Sequence, residues 1–500
     1  MRSGVRLSRA HLEQLAPGRA DVGALGRRQR LVVLVICSVS LFMTYVDTTA
    51  LNVALPSIER DFHASLASIQ WVADAYLLVL ASLLVAAGSI ADRVGRRRVF
   101  RTGLVLFTAG SLVCSLAPNV DVLIGLRMLQ AVGGCMLTPV SLSIVRQVFT
   151  DPSERARALG GWSAIFGLGV AAGPILGGML VSAAGWRSVF WVNVPIGVGA
   201  WWLAGRFVPE SRAPIPRRLD PAGQVLVFIV LAALTYAIIE GPSLGWATPR
   251  IVGAFAAGAA ATILLAVVER SRPEPLLDLR FFRSPPFAAA IATAVLSFLV
   301  LAGFLFVTTL YLQDVRRNSP FVAGVSLLPA TVMVAVCALF AGQLVARFGA
   351  RVPLVAAGLC LAAGAAMLLW LTPHTPYALL APAYVLLGAG FGLVNPPITN
   401  TAVSGMPPEQ AGVASAIASA SRQIGNVLGV AVMGTMVTSS AFGIGHLSEH
   451  AAATFTSATH RAWALALACG LACAATAIVC TGRRGLRAAR AIYHEQAPTA

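Results

Sequence analysis

Three ionisable residues lie inside long apolar segments, where a charge is costly. Asp47 lies within SLFMTYVDTTALNVALP, while Asp74 and Arg127 lie in the next and the fourth apolar runs. At about 1.5 Å per helical residue, all three fall at similar depths in their helices. Charges at membrane depth pair with one another or line water. We therefore predict that Asp47 is a cavity carboxylate that binds a proton, beside Arg127; a purely structural ion pair is the alternative.

Asp74 and two further charged residues, Glu240 and Arg422, lie in or at the ends of apolar runs. Asp74 is a second candidate for proton coupling, although its depth also allows it to reach the interface. Glu240 ends its run in YAIIEGPSLGW, so it is either a coupling acid or a boundary group that reaches water. Arg422 lies near the middle of a later run with no acid obviously at its level. It either faces a cavity or binds backbone carbonyls.

The composition is that of a membrane protein with many spans. Of 500 residues, 57% are hydrophobic and 11% are charged, whereas a soluble domain has about 25% charged residues. The net charge is +17 and every basic residue is arginine. With a cytoplasmic N-terminus, most arginines fall in cytoplasmic segments, as the positive-inside rule requires. This distribution argues against nucleic-acid binding. Because a phosphate-binding P-loop needs a lysine, we also expect no ATP.

Fourteen apolar runs are long enough to cross a bilayer as helices. We expect an all-α integral membrane protein with both termini in the cytoplasm. The predicted spans lie near residues 31–55, 69–91, 99–118, 121–144, 156–181, 187–208, 221–240, 251–268, 287–312, 322–345, 352–371, 376–399, 411–437 and 461–481. The predicted division is a cytoplasmic tail (1–30), a six-helix half (31–208), a linker with two inserted helices (209–286), a second six-helix half (287–482) and a cytoplasmic tail (483–500).

A weak internal repeat supports two halves. GSIADRVGRRRV begins at Gly88, and a fainter copy, GQLVARFGARVP, begins at Gly342. Repeats of this kind are typical of transporters. The first copy predicts a tight turn after a helix end, with an acid and arginines that bind the facing half, anionic lipid or both. Its residues are Gly88, Asp92, Arg93, Gly95, Arg96 and Arg97.

Glycines recur about once per turn in the fifth predicted span, within GVAAGPILGG. Such a face packs closely on a neighbouring helix and can seal one side of a cavity, although ordinary small-residue packing is the alternative. A proline within the span removes a backbone hydrogen bond and bends the helix. The residues are Gly169, Gly173, Pro174, Gly177 and Gly178.

Several of these stretches together resemble one family. The loop after Gly88 resembles the cytoplasmic signature of the major facilitator superfamily. With fourteen spans, the chain is similar to its drug:proton antiporters of the EmrB/QacA type. VDTTALNVALP, RMLQAVGG at Arg127 and SRQIGNVLGVAV from Ser421 resemble further motifs of those antiporters. The resemblance implies export in exchange for protons, and it identifies GVAAGPILGG as the antiporter motif.

The expected function is proton-coupled efflux of drugs, antibiotics or other amphiphilic compounds by alternating access. The alternative is an uptake carrier of the same superfamily or an exporter of one specific metabolite. We expect no catalysis, no metal and no cofactor, with energy from the proton gradient. Expected partners are protons, membrane lipid and a small amphiphilic substrate, for which a cation is one candidate. The expected location is the plasma membrane, in a bacterium the inner membrane.

Overall fold

The protein is a bundle of long helices. The computed structural model describes residues 26–213, 220–271, 279–404, 411–438 and 449–482. Most predicted spans are single helices, but the predicted spans 187–208 and 322–345 are each divided into a short and a long helix. Nearly all of the two predicted tails lies outside the described residues.

The first half contains seven helices. They are α1 (Arg27–Phe62), α2 (Leu66–Val94), α3 (Arg96–Cys114), α4 (Val120–Val148), α5 (Pro152–Ala184), α6 (Ser188–Trp191) and α7 (Asn193–Phe207). Side chains at several N-termini satisfy the free backbone N–H groups. At the start of α5, Asp151 accepts from the Ser153 hydroxyl and from the Ser153 and Glu154 amides. These hydrogen bonds, led by the one from the Ser153 hydroxyl, lower the pKa of Asp151, which lies in a loop.

Two helices follow and then the second half. They are α8 (Pro221–Leu244) and α9 (Pro249–Ser271), then α10 (Pro285–Leu310), α11 (Pro320–Ser326), α12 (Leu328–Phe348), α13 (Arg351–Leu368), α14 (Tyr377–Val403), α15 (Ala411–Thr438) and α16 (Glu449–Cys480). A 3-10 turn (Leu279–Arg283) precedes α10, and a π-helical turn (Tyr311–Val315) continues it. Helix α9 packs on α8, and α8 contacts both α2 and α15.

Twelve helical segments of the described chain are long and apolar enough to cross a membrane. Two other helices of comparable length, α3 and α15, do not meet that measure of composition. Helix α3 carries arginines in its first turns, and α15 contains Arg422, Gln423 and Asn426. Both pack against apolar neighbours, α3 on α4 and α15 on α10.

The repeat seen in the sequence has a structural counterpart. Helix α2 ends at Gly95 and α12 ends at Gly349, and both glycines have positive φ angles, 127° and 73°. Each amide donates to a carbonyl four residues earlier, that of Ala91 and that of Val345. Because other residues resist this backbone conformation, glycine is favoured at both turns.

Among the described residues, the two halves meet along several helix pairs. Helix α1 contacts α10 and α11, α2 contacts α15, and α5 contacts both α11 and α12. Hydrogen bonds between described residues of the two halves lie in the part of the bundle towards the junction of α1 and α2. Gln70 donates to the Val430 and Ala431 carbonyls, Gln313 donates to the Val53 carbonyl, and the Phe321 amide donates to Ser182. We call this region the sealed end.

Candidate functional site

A buried ion pair joins α1 to α4. Nη1 of Arg127 lies 2.7 Å from Oδ2 of Asp47. The side chains are 1% and 0% exposed, respectively. Charges this deep persist only when they are paired and hydrogen-bonded. The structure thus brings together the two residues that the sequence analysis placed side by side.

Amides complete the shell around this pair. Gln130 donates to Oδ1 of Asp47 at 2.9 Å and accepts from Arg127 at 2.7 Å. Asn193 of α7 donates to the same Oδ1 at 2.8 Å and to the Ser111 hydroxyl at 3.0 Å. Three side chains, those of Arg127, Gln130 and Asn193, therefore donate to the Asp47 carboxylate. The guanidinium of Arg127 also lies over the Tyr76 ring, 4.3 Å from its centre, which adds a cation–π contact.

Asp74 is buried like Asp47 but stands apart from this network. It is 0% exposed, and neither carboxylate oxygen has a hydrogen-bond partner among the described residues. Gln70 lies one helical turn earlier on the same face of α2 and contacts α15 of the other half. An unpaired carboxylate costs far less to bury as the neutral acid than as the anion. Asp74 therefore lies near the seam between the halves without a donor for a negative charge.

A cavity opens between the halves beside the ion pair. Its empty space measures about 750 Å³, including its opening. Hydroxyl, amide and aromatic groups share the lining with aliphatic side chains. Thr44, Thr48 and Leu51 line it, as their common helix face predicts, and Arg127 lines it as well. Asp47 lies behind Arg127, so the arginine, and not the predicted carboxylate, borders the cavity.

Arg422 of α15 is not itself a lining residue, but it adjoins Gln423 and lies one helical turn before Asn426, which both line the cavity. Its Nη2 donates to the Ser419 hydroxyl at 2.7 Å, and its Nη1 donates to the Thr399 hydroxyl at 3.4 Å. Both acceptors are neutral. Hydroxyl groups, and not the backbone carbonyls of one predicted alternative, accept these hydrogen bonds. The other alternative, that Arg422 faces a cavity, stays a prediction.

Glu240 does not join the central network. Its Oε1 accepts from the Trp71 indole at 3.0 Å, and its Oε2 accepts from the Ser243 hydroxyl at 3.2 Å. The bond from Trp71 fastens α8 to α2 close to the sealed end, whereas the bond from Ser243 lies within α8. In the described structure Glu240 therefore fixes an inserted helix, and its predicted part in proton coupling has no contact that supports it.

The loop after α2 binds within its own half. Asp92 pairs with Arg96 at 2.8 Å, and Nη1 of Arg96 donates to Gln147 at 2.7 Å. The Gly88 backbone approaches Pro139 of α4. Arg93 lies in the last turn of α2. The described hydrogen bonds of Asp92 and Arg96 thus lie within the first half, and the predicted contact of this loop with the facing half or with anionic lipid stays a prediction.

The sequence analysis missed Glu210, which anchors this loop to the segment after α7. Oε1 of Glu210 accepts from the Arg97 and Ser211 amides at 3.1 and 3.0 Å. Its Oε2 lies 3.9 Å from Arg97 and 3.8 Å from Arg98. The only sequence signal was one acid among the arginines that follow the sixth predicted span.

The glycine face of α5 packs mainly on α1, the helix that carries Asp47. A Cβ on Gly169 would lie 3.0 Å from that of Tyr45, and one on Gly177 would lie 2.7 Å from the Ala50 carbonyl. Gly173 contacts Thr49 in the same way. Gly178 instead contacts the Pro320 carbonyl of the other half, and the Pro174 carbonyl closely approaches Gly324. The face thus joins α1 tightly and also contributes to the sealed end.

Other missed residues are polar side chains within apolar spans. Gln130 lies one turn after Arg127 inside the stretch RMLQAVGG, so its helical spacing was a usable signal. Asn193 is a single amide within WVNVPIG, and Ser111 has no distinguishing context. No cluster of three or more histidine, cysteine or acidic residues suited to a metal occurs in the described parts of the chain.

Comparison with known proteins identifies the family. A model of the Major Facilitator Superfamily matches residues 37–430. The chain belongs to this superfamily. It is 40% identical to the multidrug resistance protein Stp of Mycobacterium tuberculosis, over 82% of this chain and 76% of Stp. It is 36% identical to the methylenomycin A resistance protein of Streptomyces coelicolor, over 84% of this chain and 89% of that protein.

Solved structures agree on the superfamily fold. A bacterial homologue of the human lysosomal transporter Spinster, inward-facing and unoccupied, superposes with a TM-score of 0.63 at 18% identity. The match covers 95% of this chain and all of that one. The predicted family is confirmed. This superfamily protein is a multi-pass membrane protein, and its bacterial relatives place it in the plasma membrane.

Proposed function

We propose that this protein exports small amphiphilic compounds from the cell in exchange for protons. The observation that carries the proposal is the buried Asp47–Arg127 pair, whose arginine lines a cavity between two halves. Relatives named for multidrug resistance and for resistance to methylenomycin A support efflux. So does the tetracenomycin C resistance and export protein of Streptomyces glaucescens, 36% identical over 84% of this chain.

The proposed topology has fourteen spans with both termini in the cytoplasm. Helix α3 has 19 residues and α15 has 28, so each can cross an apolar layer of about 30 Å. Adding them to the twelve apolar segments gives the even number that returns the C-terminal arginines to the cytoplasm. In this topology the sealed end faces outward, and the cavity serves the cytoplasmic side.

Alternating access then requires the sealed end to open. The contacts that would break include the hydrogen bonds from Gln70 to α15 and from Gln313 to α1. The close approach of Gly178 to Pro320 would also separate. Apolar contacts would separate with them, because one cluster of buried hydrophobic side chains includes residues of both halves.

The burial of Asp74 would couple proton entry to closure of the sealed end. Near the α2–α15 seam, it would meet water when the sealed end opens and could then exchange a proton with the outside. Closing the seam again around a charged Asp74 would bury an anion without donors. Only the protonated form would permit closure, so each return to the inward-facing state would carry in a proton.

Asp47 would act later in the cycle. A proton on Asp47 would break its ion pair and release the Arg127 guanidinium towards the cavity, so substrate charge and protonation would compete there. The cycle uses an ion gradient, without a cofactor, a metal or ATP. We infer transport and not catalysis, in keeping with the superfamily.

The test uses inverted proteoliposomes with an acidic lumen. Amphiphilic dyes of either charge are added outside while dye uptake and lumenal pH are recorded together. We expect wild-type protein to take up dye as protons leave, and Asp74→Asn to bind dye without proton-driven uptake. Dye movement in the opposite direction under the same gradient would favour an uptake carrier. A single accepted compound in a broad panel would favour an exporter of one metabolite.

A further inference from the structure

The central cavity has a charge pattern that suits an acid better than a base. Its lining offers hydroxyl and amide groups, among them Thr44, Thr48, Asn52 and Asn426. No aspartate or glutamate is found in the described lining. A lipophilic cation in such a cavity would lack a carboxylate to replace its lost hydration.

The two guanidinium groups at the cavity are not equivalent. Arg127 is neutralised by Asp47 at 2.7 Å, so this pair adds no net charge. Arg422 contacts the neutral hydroxyls of Ser419 and Thr399, and no described carboxylate forms an ion pair with it. Asp74, which is also buried, does not line the cavity. Arg422 lies one helical turn before the lining residue Asn426, so its guanidinium supplies a positive charge beside the cavity.

An aromatic wall lies near this charge and crosses from one half to the other. Tyr45 packs edge-on against Phe166, with ring centres 4.6 Å apart, and Phe166 lies 6.4 Å from Phe298 of the second half. Tyr45 lines the same cavity as Asn426, which lies one helical turn after Arg422. Aromatic rings favour stacked or edge-on contacts with flat apolar rings. A ring and an anion could therefore be bound together at adjacent places.

We propose that the cavity binds aromatic organic acids, with the acid group on Arg422 and the ring against Tyr45, Phe166 and Phe298. This inference rests on the proposed export function and narrows its substrate class. A partly buried guanidinium with only neutral acceptors gains from a carboxylate, to which two parallel N–H groups can donate, or from a phenolate oxygen. The cationic substrate considered in the sequence analysis is the opposite of this class.

A consequence follows for the driving force. Exchange of one exported monoanion for one entering proton carries a net charge of +2 into the cell. Exchange of one exported monocation for one entering proton carries no net charge. The membrane potential acts on each charge that crosses. Transport of an aromatic acid should therefore respond strongly to a potential set with potassium and valinomycin, independently of the pH gradient.

The test compares three probes that share one ring system. They are anthracene-9-carboxylate, 9-(aminomethyl)anthracene and 9-anthracenemethanol, which are anionic, cationic and neutral at neutral pH. Binding to the full-length protein in phosphatidylcholine nanodiscs is measured by equilibrium dialysis, with empty nanodiscs subtracted. We expect the anion to bind at least about tenfold more tightly than the cation, the size of one hydrogen bond to a charged group.

Two variants of Arg422 test whether this residue produces the preference for the anion. Arg422→Gln should lose about tenfold in anion affinity and leave binding of the neutral probe unchanged. Arg422→Lys should keep a preference for the anion. Arg187→Gln, which alters an exposed pair with Asp61, should behave as wild type. The proposal is overturned if the cation binds as tightly as the anion, if no probe binds, or if Arg422→Gln keeps the full preference.

Failure of this inference is distinguishable from failure of the export proposal. If proton-driven uptake moves cations but the anion does not bind, export stands and the substrate class is wrong. If the anion binds through Arg422 but no probe moves under either gradient, the substrate class stands and proton-coupled export is wrong. The wild-type comparison of probes needs no variant, so it remains decisive if Arg422→Gln folds poorly.

Discussion

Nη1 of Arg127 lies 2.7 Å from Oδ2 of Asp47, and both side chains are shielded from solvent. A second ion pair has nearly the same length but is much more exposed to solvent. Arg187 and Asp61 are 2.8 Å apart, but their side chains are 38% and 45% exposed. The buried pair is therefore expected to matter for stability and the exposed pair much less.

Asp47→Ala should lower the free energy of unfolding by about 3–5 kcal/mol, because it leaves the Arg127 charge buried without its partner. Asp61→Ala, the matched control, should cost only about 0–1 kcal/mol. Both values can be measured by unfolding in mixed micelles with increasing sodium dodecyl sulfate. Equal losses of unfolding free energy in the two variants would show that burial does not increase the contribution of the Asp47 pair to stability.

Asp74→Asn should leave stability nearly unchanged and abolish proton coupling. The amide has the shape of the neutral acid, so we expect a change of no more than about 1 kcal/mol, the size of one hydrogen bond. Proton-driven uptake should fall to background while equilibrium binding is retained. Asp121→Asn, which alters an exposed acid in the first turn of α4, is the control. Normal coupled exchange by Asp74→Asn would exclude Asp74 as the coupling site.

Gly95→Ala should destabilise more than Gly349→Ala, although the repeat relates the two positions. Alanine at a positive φ costs about 1–2 kcal/mol at either site. At Gly95 the added Cβ would also lie 2.6 Å from Oε1 of Glu210, whereas nothing lies within 4 Å at Gly349. Hydrogen exchange at the Arg97 amide, which donates to Glu210, should rise in Gly95→Ala alone. Identical losses would mean that the Glu210 contact contributes nothing.

Gly177→Ala should destabilise the packing of α5 on α1 by about 1–3 kcal/mol, the usual cost of overpacking. Its Cβ would lie 2.7 Å from the Ala50 carbonyl, and backbone cannot move as a flexible side chain can. Gly161→Ala on the same helix has nothing within 4 Å and should be neutral or stabilising by up to about 1 kcal/mol. Unfolding in mixed micelles measures both, and a neutral Gly177→Ala would show that α5 can shift away from α1.

The family and the partnership of Asp47 with Arg127 follow from the sequence alone. Long apolar runs specify membrane helices because hydrocarbon excludes unpaired backbone groups. A helix has a fixed rise per residue, so the depth of Asp47 and Arg127 could be counted from the chain. The glycines at the two repeated turns could be predicted for a similar reason, since the local backbone decides them. These are local properties.

Only the tertiary structure decided which charges meet. Asp74 has nearly the same depth as Asp47, yet one carboxylate has three donor side chains and the other has no hydrogen-bond partner within the described chain. Depth fixes one coordinate of a side chain, whereas contact also depends on the rotation of each helix and on its neighbours. For the same reason, the sequence did not predict the contact of Asn193 with Asp47, the contact of Glu210 with the loop at Gly95, or the neutral surroundings of Arg422. Those relationships arise where helices distant in sequence pack together.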